Sequence, residues 1–187
     1  MFAQSRAGYA RGYSMLEGLT ILLIVSLILA IGAPPLKPLV DRSRAKGDVM
    51  TLISSLNLAR TTAITSGTVT TYCASVDGLN CGGSWEAGTL LFHDRNDNRK
   101  LDGKDELIER GSKLRGEGRL QWRASGGRNQ YIRFSKHGMA KEFGTFTYCL
   151  KNAGGYYSRL LILNRAGRAR LEKGDRSERS ARSDLEC

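Results

Sequence analysis

One stretch near the N-terminus limits the possible folds more than any other feature: from Gly18 to Leu36 the chain carries no charged residue. Because a helix rises about 1.5 Å per residue, this apolar run is long enough to cross, or nearly cross, a bilayer. Arg6 and Arg11 precede it, so the positive-inside rule predicts a cytoplasmic N-terminus and a remainder outside the cytoplasm. The run ends in Ala33-Pro34-Pro35, a poor site for an ordinary signal peptidase. We therefore expect a retained membrane anchor.

A second helical segment follows the apolar run. The three prolines of the chain, Pro34, Pro35 and Pro38, cluster where the run ends, and we expect a kink or a local loss of helix there. Apolar residues then recur at three- and four-residue spacing, which predicts an amphipathic helix that reaches about Thr65 and stops before Gly67. These apolar positions are Val49, Leu52, Ile53, Leu56, Ala59 and Ala63.

Beyond Gly67 the pattern changes to short β-rich segments separated by glycine turns, and it predicts a small antiparallel sheet system. The segments are TVTTYCA, GTLLFHD, ELIER, QYIRFS, GTFTYCLK, YSRLLILN and RARLE. Residues 174–187 are polar and lack periodicity, but they end in a cysteine. A chain of 187 residues can bury one such core, so we expect a single globular head.

The cysteines indicate an oxidising compartment, because four of them follow an export and anchoring segment. Three pairings are possible. In one of them a disulfide between Cys73 and Cys81 closes a hairpin. Cys149 is then left to hold the tail through a disulfide with Cys187. A zinc site with His93 or His137 is the rival, but the chain has no C-x-x-C spacing.

The loop from Asp94 to Asp105 places oxygen side chains at several positions of an EF-hand-like calcium loop. Arg99 stands where that loop needs its turn glycine, and no flanking helices are predicted. The loop also contains four cations, which would repel calcium: Arg95, Arg99, Lys100 and Lys104. We therefore expect a solvated hairpin turn and no metal. No nucleophile motif or phosphate-binding glycine loop occurs, so we expect neither an enzyme nor a cofactor.

The formal net charge of +11 favours polyanionic partners, of which nucleic acid and anionic lipid are the usual ones. The basic residues form two clusters. From Arg110 to Lys141 the sequence contains nine basic residues and only one acid, Glu117. The second cluster consists of Arg165, Arg168, Arg170 and Lys173.

The segment Gly12-Tyr13-Ser14-Met15-Leu16-Glu17 resembles the type III signal of type IV pilins and type II secretion pseudopilins. The resemblance implies that a prepilin peptidase cuts after Gly12 and that the new N-terminus, Tyr13, is methylated. It also implies that Glu17 pairs with an N-terminal amine during fibre assembly. A carboxylate in a membrane helix costs about 2 to 4 kcal/mol, so its presence there indicates a function. Pro34 matches the proline that commonly breaks the pilin helix, whereas Tyr13 replaces the usual phenylalanine.

The head resembles the minor pilins FimT and FimU and their pseudopilin relative GspH. The resemblance runs from Gly12 to about Leu171, and it is carried by GSWEAG at 83–88, IRFSKHG at 132–138 and GTFTYCL at 144–150. It implies an α+β fold in which one long N-terminal helix, with a transmembrane first half, packs on a β-rich head of two antiparallel sheets.

The element Gly167-Arg168-Ala169-Arg170 resembles the C-terminal motif by which FimT proteins of naturally competent bacteria hold DNA. An arginine fork can bond two phosphate oxygens at once, and a turn glycine can present two such side chains on one edge. This resemblance implies DNA binding by the second basic cluster. The alternative is a solvated strand end.

The sequence thus predicts a non-enzymatic minor pilin of a type IV pilus, acting in pilus assembly or initiation and in DNA binding for natural transformation. Its expected partners are the prepilin peptidase, other minor pilins, the major pilin, the inner membrane and DNA. The alternative is a GspH-like minor pseudopilin of a type II secretion system. The expected segments are a leader (1–12), a transmembrane half-helix (13–36), an amphipathic half-helix (37–66), a periplasmic head (67–173) and a tethered tail (174–187).

Overall fold

The computed structural model describes residues 12–32, 36–127, 129–152 and 155–173. The chain divides into two units, with the boundary between Leu36 and Lys37. The first unit contains helix α1, Met15–Gly32. The second contains nearly all of helix α2, Leu36–Ser66, and the β-strands of the head.

Two antiparallel sheets, each of four strands, form the head. The strands are β1 Thr70–Ala74, β2 Thr89–His93, β3 Glu106–Gly111, β4 Arg119–Ala124, β5 Tyr131–Phe134, β6 Gly144–Asn152, β7 Gly155–Leu163 and β8 Ala169–Lys173. Sheet A has the order β3-β2-β1-β5, and sheet B has the order β4-β6-β7-β8. The predicted α+β fold, a helix on a head of two antiparallel sheets, is confirmed.

The apolar stripe of α2 packs into a core that it shares with both sheets. All six apolar positions predicted for this helix lie in the packed face, five of them buried and Ile53 partly buried. The helix ends at Ser66, and Gly67 follows with φ 66°, a left-handed conformation that glycine adopts without strain. Pro38 lies in the first turn of α2, where its missing N–H is not needed. Pro34 and Pro35 lie outside the described residues, so the break predicted there stays a prediction.

Four aromatic side chains join the two sheets through the core. The ring centroid of Trp85 lies 5.4 Å from that of Tyr72 on β1 and 4.9 Å from that of Phe146 on β6. Phe146 in turn lies 4.4 Å from Trp122 on β4. Trp85 belongs to the GSWEAG loop, and the next residue, Glu86, accepts a backbone N–H of β4 at 2.9 Å. This loop therefore ties the edge of sheet B to sheet A.

A buried carboxylate on α2 holds the β3–β4 loop in place. Asp48 accepts the backbone N–H groups of Arg115 and Gly116 at 2.9 and 3.0 Å, and the hydroxyl of Tyr148 at 3.2 Å. Burial, followed by the adjacent charge of Asp48, raises the pKa of Tyr148. The loop passes so close that a Cβ on Gly118 would lie 2.2 Å from Cζ of Tyr148. Asp48 therefore connects α2, the loop and β6.

Replacing Asp48 should destabilise the head more than removing one of its partners. We expect Asp48→Ala to lower the free energy of unfolding by about 3 kcal/mol, because three donors lose their acceptor. Tyr148→Phe removes one donor and leaves the two backbone contacts, so it should cost about 1 kcal/mol. Urea unfolding of the full-length protein in detergent, followed by tryptophan fluorescence, measures both. A smaller loss for Asp48→Ala than for Tyr148→Phe would contradict this role of Asp48.

Candidate functional site

The residues predicted for processing lie just before α1. Gly12 and Tyr13 are exposed, and the helix begins at Met15. Among the described residues, no heavy atom beyond its chain neighbours lies within 4 Å of a Cβ built on Gly12. The described fold therefore leaves room for a larger residue at position 12. A need for glycine there would have to come from a protein that recognises this segment.

Glu17 lies in the first turn of α1, where it has a local role that the sequence analysis missed. The hydroxyl oxygen of Ser14 accepts the backbone N–H of Glu17 at 3.2 Å, so Ser14 caps the helix. The spacing of Ser14 and Glu17 is that of a capping box, and an acid in this turn also interacts favourably with the helix dipole. A test of Glu17 in assembly must therefore separate its charge from its contribution to capping.

Helix α1 exposes large apolar side chains around its circumference. Leu16, Leu22 and Ile28 are 74%, 67% and 63% exposed, and similar values continue along the helix. A helix that is apolar all round is stable only where lipid or other apolar surfaces cover it.

No helix within the part of the chain that the structure describes is long and apolar enough to span a membrane. Pro34, the remaining residue predicted for assembly, lies outside the described residues.

The second basic cluster is built on the β7–β8 turn, which only glycine can complete. Gly167 has φ 73°, and its N–H donates to the carbonyl of Asn164 at 2.9 Å. The side-chain oxygen of Asn164 accepts the N–H of Arg168 at 2.9 Å. A Cβ on Gly167 would lie 2.2 Å from the carbonyl oxygen of Gly138. Both the backbone conformation and the close contact therefore require glycine at 167.

This turn packs against a second glycine turn and against α2. Gly138, between β5 and β6, also has φ 73°, and its carbonyl accepts Nε of Arg60 on α2 at 3.1 Å. The N–H of Ala140 donates to the carbonyl of Arg165 at 3.1 Å. The three elements together form what we call the basic corner: Arg60, Lys136, His137, Arg165 and Arg168. The sequence analysis did not connect Arg60 or His137 with the second cluster, and it placed Lys136 in the first.

The four residues predicted to bind DNA have different surroundings. Arg165 and Arg168 are exposed, and within the described residues their side chains make no hydrogen bond or ion pair. Arg170 is 76% exposed and pairs with Glu172. Lys173 stands three residues after Arg170 in β8, so the two side chains point to opposite faces of sheet B. The structure therefore separates Lys173 from Arg170.

The first basic cluster does not form one surface. Nε of Arg110 donates to the carbonyl of Gly78 at 2.8 Å. Arg133 pairs with Glu142, which raises the pKa of the guanidinium, and with Asp97. Partial burial acts to raise the pKa of Asp97, but the hydrogen bonds from Lys141 and Arg133 outweigh burial. The pKa of Asp97 is therefore lowered. Several cations of the cluster therefore stabilise the head.

Two other arginines of the first cluster lie on the face of sheet B that points away from the core, here called the outer face. They belong to β4, a strand that the sequence analysis did not predict. Arg119 and Arg123 are exposed, whereas Leu120, Trp122 and Ala124 between and after them are buried. The strand register places Arg123, Thr145, Ile162 and Arg170 in one row across the sheet. Arg123 and Arg170 thus mark the two edges of one face, about 14 Å apart.

The calcium-like loop is closed by its own hydrogen bonds. Asp94 is buried and accepts the hydroxyl of Thr71 at 2.8 Å and the backbone N–H groups of Asn98 and Arg99 at 2.9 Å. Asp102 accepts the side-chain amide of Asn98 at 2.9 Å. These contacts use oxygens that a calcium ion would need. Within the described residues, no group of histidine, cysteine, aspartate and glutamate side chains could hold a metal ion.

Of the three pairings that the sequence left open, the structure contains the one with a disulfide between Cys73 and Cys81, which withdraws these two thiols from a zinc site. Nδ1 of His93 lies 3.3 Å from the hydroxyl oxygen of Thr70. Cys149 on β6 is also part of a disulfide bond. Cys187 lies outside the described residues, so the pair Cys149–Cys187 stays a prediction.

Comparison with known proteins gives a family and a fold. Residues 48–167 match the family model described as type II transport protein GspH. A crystal structure of the type IV minor pilin FimU of Pseudomonas aeruginosa PAO1, in space group P21, is 18% identical and has a TM-score of 0.52, covering 74% of this chain and 92% of that chain. A second FimU crystal form, P65, is 18% identical with a TM-score of 0.49, covering 70% and 91%. No curated protein sequence matches significantly.

Proposed function

This chain belongs to the GspH family of type II transport proteins, and we propose that it is a minor pilin of a type IV pilus that acts in pilus assembly or initiation. The family consists of structural pilins and pseudopilins rather than enzymes. The similarity in fold to FimU, a type IV minor pilin, supports the choice of a pilus. The family description, a type II transport protein, supports the alternative of a minor pseudopilin in a secretion system.

The exposed apolar surface of α1 is the observation that carries the assembly role. In the proposed pathway, prepilin peptidase cuts between Gly12 and Tyr13, and α1 first anchors the protein in the inner membrane with its head in the periplasm. The same helix then enters the apolar core of the fibre, where other minor pilins and the major pilin cover it. Such a transfer needs a helix that is apolar on every side. Glu17 is the one charge of α1, and we propose that it pairs with an N-terminal amine in the fibre.

We further propose that the head binds DNA at the basic corner and the adjoining outer face. The supporting observation is that Arg165 and Arg168 are exposed and, among the described residues, have no side-chain partner. The turn that carries them is nevertheless fixed by the contacts of Gly167 and Arg60. Guanidinium groups that are both positioned and unpaired can bond phosphate oxygens without first breaking an ion pair. Contacts of this kind recognise any duplex, weaken steeply as salt rises and carry little sequence preference.

Processing should depend on Gly12. We expect Gly12→Val to accumulate as uncut precursor, because the residue faces open space in the described fold and its replacement disturbs only recognition by the peptidase. Mass spectrometry of the protein purified from membranes identifies its N-terminus. Gly18→Val, which also meets no neighbour in the described fold, is the matched control and should be cut normally. A mature chain of Gly12→Val that begins at Tyr13 would exclude the proposed signal.

Assembly should depend on the charge of Glu17 and not on its capping interaction. Both Glu17→Val and Glu17→Gln should be processed, and both should fail to restore piliation in a deletion strain. Glutamine can still serve in a capping box but carries no charge, so Glu17→Gln isolates the electrostatic contribution. Electron microscopy and a count of sheared pili measure piliation. Normal piliation with Glu17→Gln would show that capping is sufficient and would remove the proposed ion pair.

DNA binding should depend on the basic corner more than on exposed cations elsewhere. We expect Arg165→Gln with Arg168→Gln to weaken binding of the full-length protein to a duplex at least fivefold and to reduce the salt slope by about two. The matched control is Lys113→Gln with Arg115→Gln, two exposed cations in the β3–β4 loop, which should change affinity less than twofold. Mobility-shift titrations at two salt concentrations provide the comparison. Equal losses would indicate a diffuse basic surface, and no binding by the unchanged protein at low salt would leave only the assembly role.

A further inference from the structure

Six exposed cations gather at the beginning of the second unit. Four of them lie in the first three turns of α2, and two lie in the β3–β4 loop. Together they form what we call the α2 patch: Lys37, Arg42, Arg44, Lys46, Lys113 and Arg115. None of the six belongs to the basic corner. The α2 patch is therefore a second basic surface, whose two segments are far apart in the sequence.

Asp48 brings the two segments of the α2 patch together. Its carboxylate accepts the backbone N–H groups of Arg115 and Gly116 at 2.9 and 3.0 Å. A Cβ built on Gly116 would lie 3.8 Å from the backbone nitrogen of Ala45, so the loop passes directly beside the helix. Arg44 stands four residues before Asp48 and shares its side of α2. Arg44 and Arg115 therefore flank the same buried carboxylate.

The positive charge of the α2 patch is not cancelled by its own acids. The side chains of Arg44 and Arg115 are exposed and, within the described residues, make no hydrogen bond or ion pair. Against the six cations, residues 37–48 and 113–117 contain three acids: Asp41, Asp48 and Glu117. Of these, Asp48 is buried and already accepts three hydrogen bonds. The α2 patch therefore presents a surplus of exposed positive charge, which attracts anions.

Exposed apolar side chains among the cations favour a lipid surface over a nucleic acid. Leu39 is 69% exposed and Val40 is 44% exposed, on the side of α2 opposite the buried Ala45. Leu39 lies one turn before Arg42, and Val40 lies one turn before Arg44. On a nucleic acid these apolar side chains would meet phosphates and water. At a membrane surface they can enter the acyl boundary while the neighbouring cations reach the phosphates.

The position of the α2 patch in the chain suits the same partner. Lys37 follows Gly32, the last residue of α1, by five residues, so their Cα atoms lie at most about 18 Å apart. In the proposed anchored state α1 lies in the bilayer, and this short connection keeps the beginning of α2 close to the membrane surface. Clusters of basic residues next to a membrane helix bind anionic headgroups.

We propose that the α2 patch docks on the membrane by binding the phosphates of anionic phospholipid headgroups, with Leu39 and Val40 at the boundary between headgroups and acyl chains. This docking rests on the proposed anchoring of the protein by α1. It holds the head at the membrane before assembly, and entry into a fibre then requires breaking these contacts. The basic corner takes no part in it.

Lysine acetylation in nanodiscs measures the docking. The full-length protein is reconstituted into nanodiscs of phosphatidylcholine, with or without phosphatidylglycerol, and peptide mass spectrometry gives the acetylation rate of each lysine. We expect phosphatidylglycerol to slow acetylation of Lys37, Lys46 and Lys113 at least threefold, because ammonium groups bound to phosphates are shielded. Lys136 in the basic corner should change less than 1.5-fold. Tryptophan fluorescence verifies that the head remains folded.

Two variants with equal loss of charge make the measurement specific, with Lys113 as the reporter. Arg44→Gln with Arg115→Gln should reduce its protection by phosphatidylglycerol to less than 1.5-fold, because the arginines that hold the loop on the headgroups are gone. Arg165→Gln with Arg168→Gln is the matched control and should leave the threefold protection unchanged. A general effect of the anionic surface on acetylation would persist in both variants.

The possible results separate the docking from the proposed anchor. Equal slowing of Lys113 and Lys136, or protection of Lys113 that survives Arg44→Gln with Arg115→Gln, would overturn the docking. Slowing of Lys113 by added duplex DNA but not by phosphatidylglycerol would assign the α2 patch to nucleic acid and overturn it as well. A protein that fails to elute with the nanodiscs in size-exclusion chromatography overturns both the anchor and the docking. Incorporation without protection overturns the docking alone.

Discussion

The head depends on the burial of one stripe of α2, which shares a core with residues of both sheets. Ala59 and Ala63 are fully buried, and Leu56 is nearly so. Two polar contacts of the same helix then fix the parts of the head that no strand ladder holds. Asp48 holds the β3–β4 loop, and Arg60 holds the turn at Gly138. The position of the basic corner therefore follows from the packing of α2.

The sequence predicted the packed face of α2 and most of the strands. The apolar spacing of α2 located this face and the end of the helix before Gly67, and short segments between turn signals located seven strands, including the charged segments ELIER and RARLE. Strand β4 was missed because its exposed positions carry arginine and glutamine, which made it resemble a charged linker. The alternation that could have identified it was present, since Leu120, Trp122 and Ala124 recur at every second residue.

Contacts between distant parts of the chain could not be predicted. Asp48 and Tyr148 are 100 residues apart, and an aspartate among the basic residues of an amphipathic helix resembles a solvated charge. The two basic clusters illustrate the same limit. They are separate in the sequence, but folding pairs Arg133 with Asp97 and Glu142 and places Arg123 in one row with Arg170. The charge pattern of the sequence therefore predicted that the surface is positive and that the β7–β8 turn is basic. It did not predict which other residues contribute to the basic surface.

The contact between the turns at Gly138 and Gly167 also determines how the head bears tension. Strand β8 lies at the edge of sheet B, and a pull on an edge strand breaks its hydrogen bonds one after another. The β7–β8 turn is additionally bonded through the carbonyl of Arg165 to Ala140, whose neighbouring turn is bonded to α2 through Arg60. A force applied at Arg168 is thus shared between the strand and the helix. Bonds loaded in parallel must break together, so this edge of the sheet resists peeling.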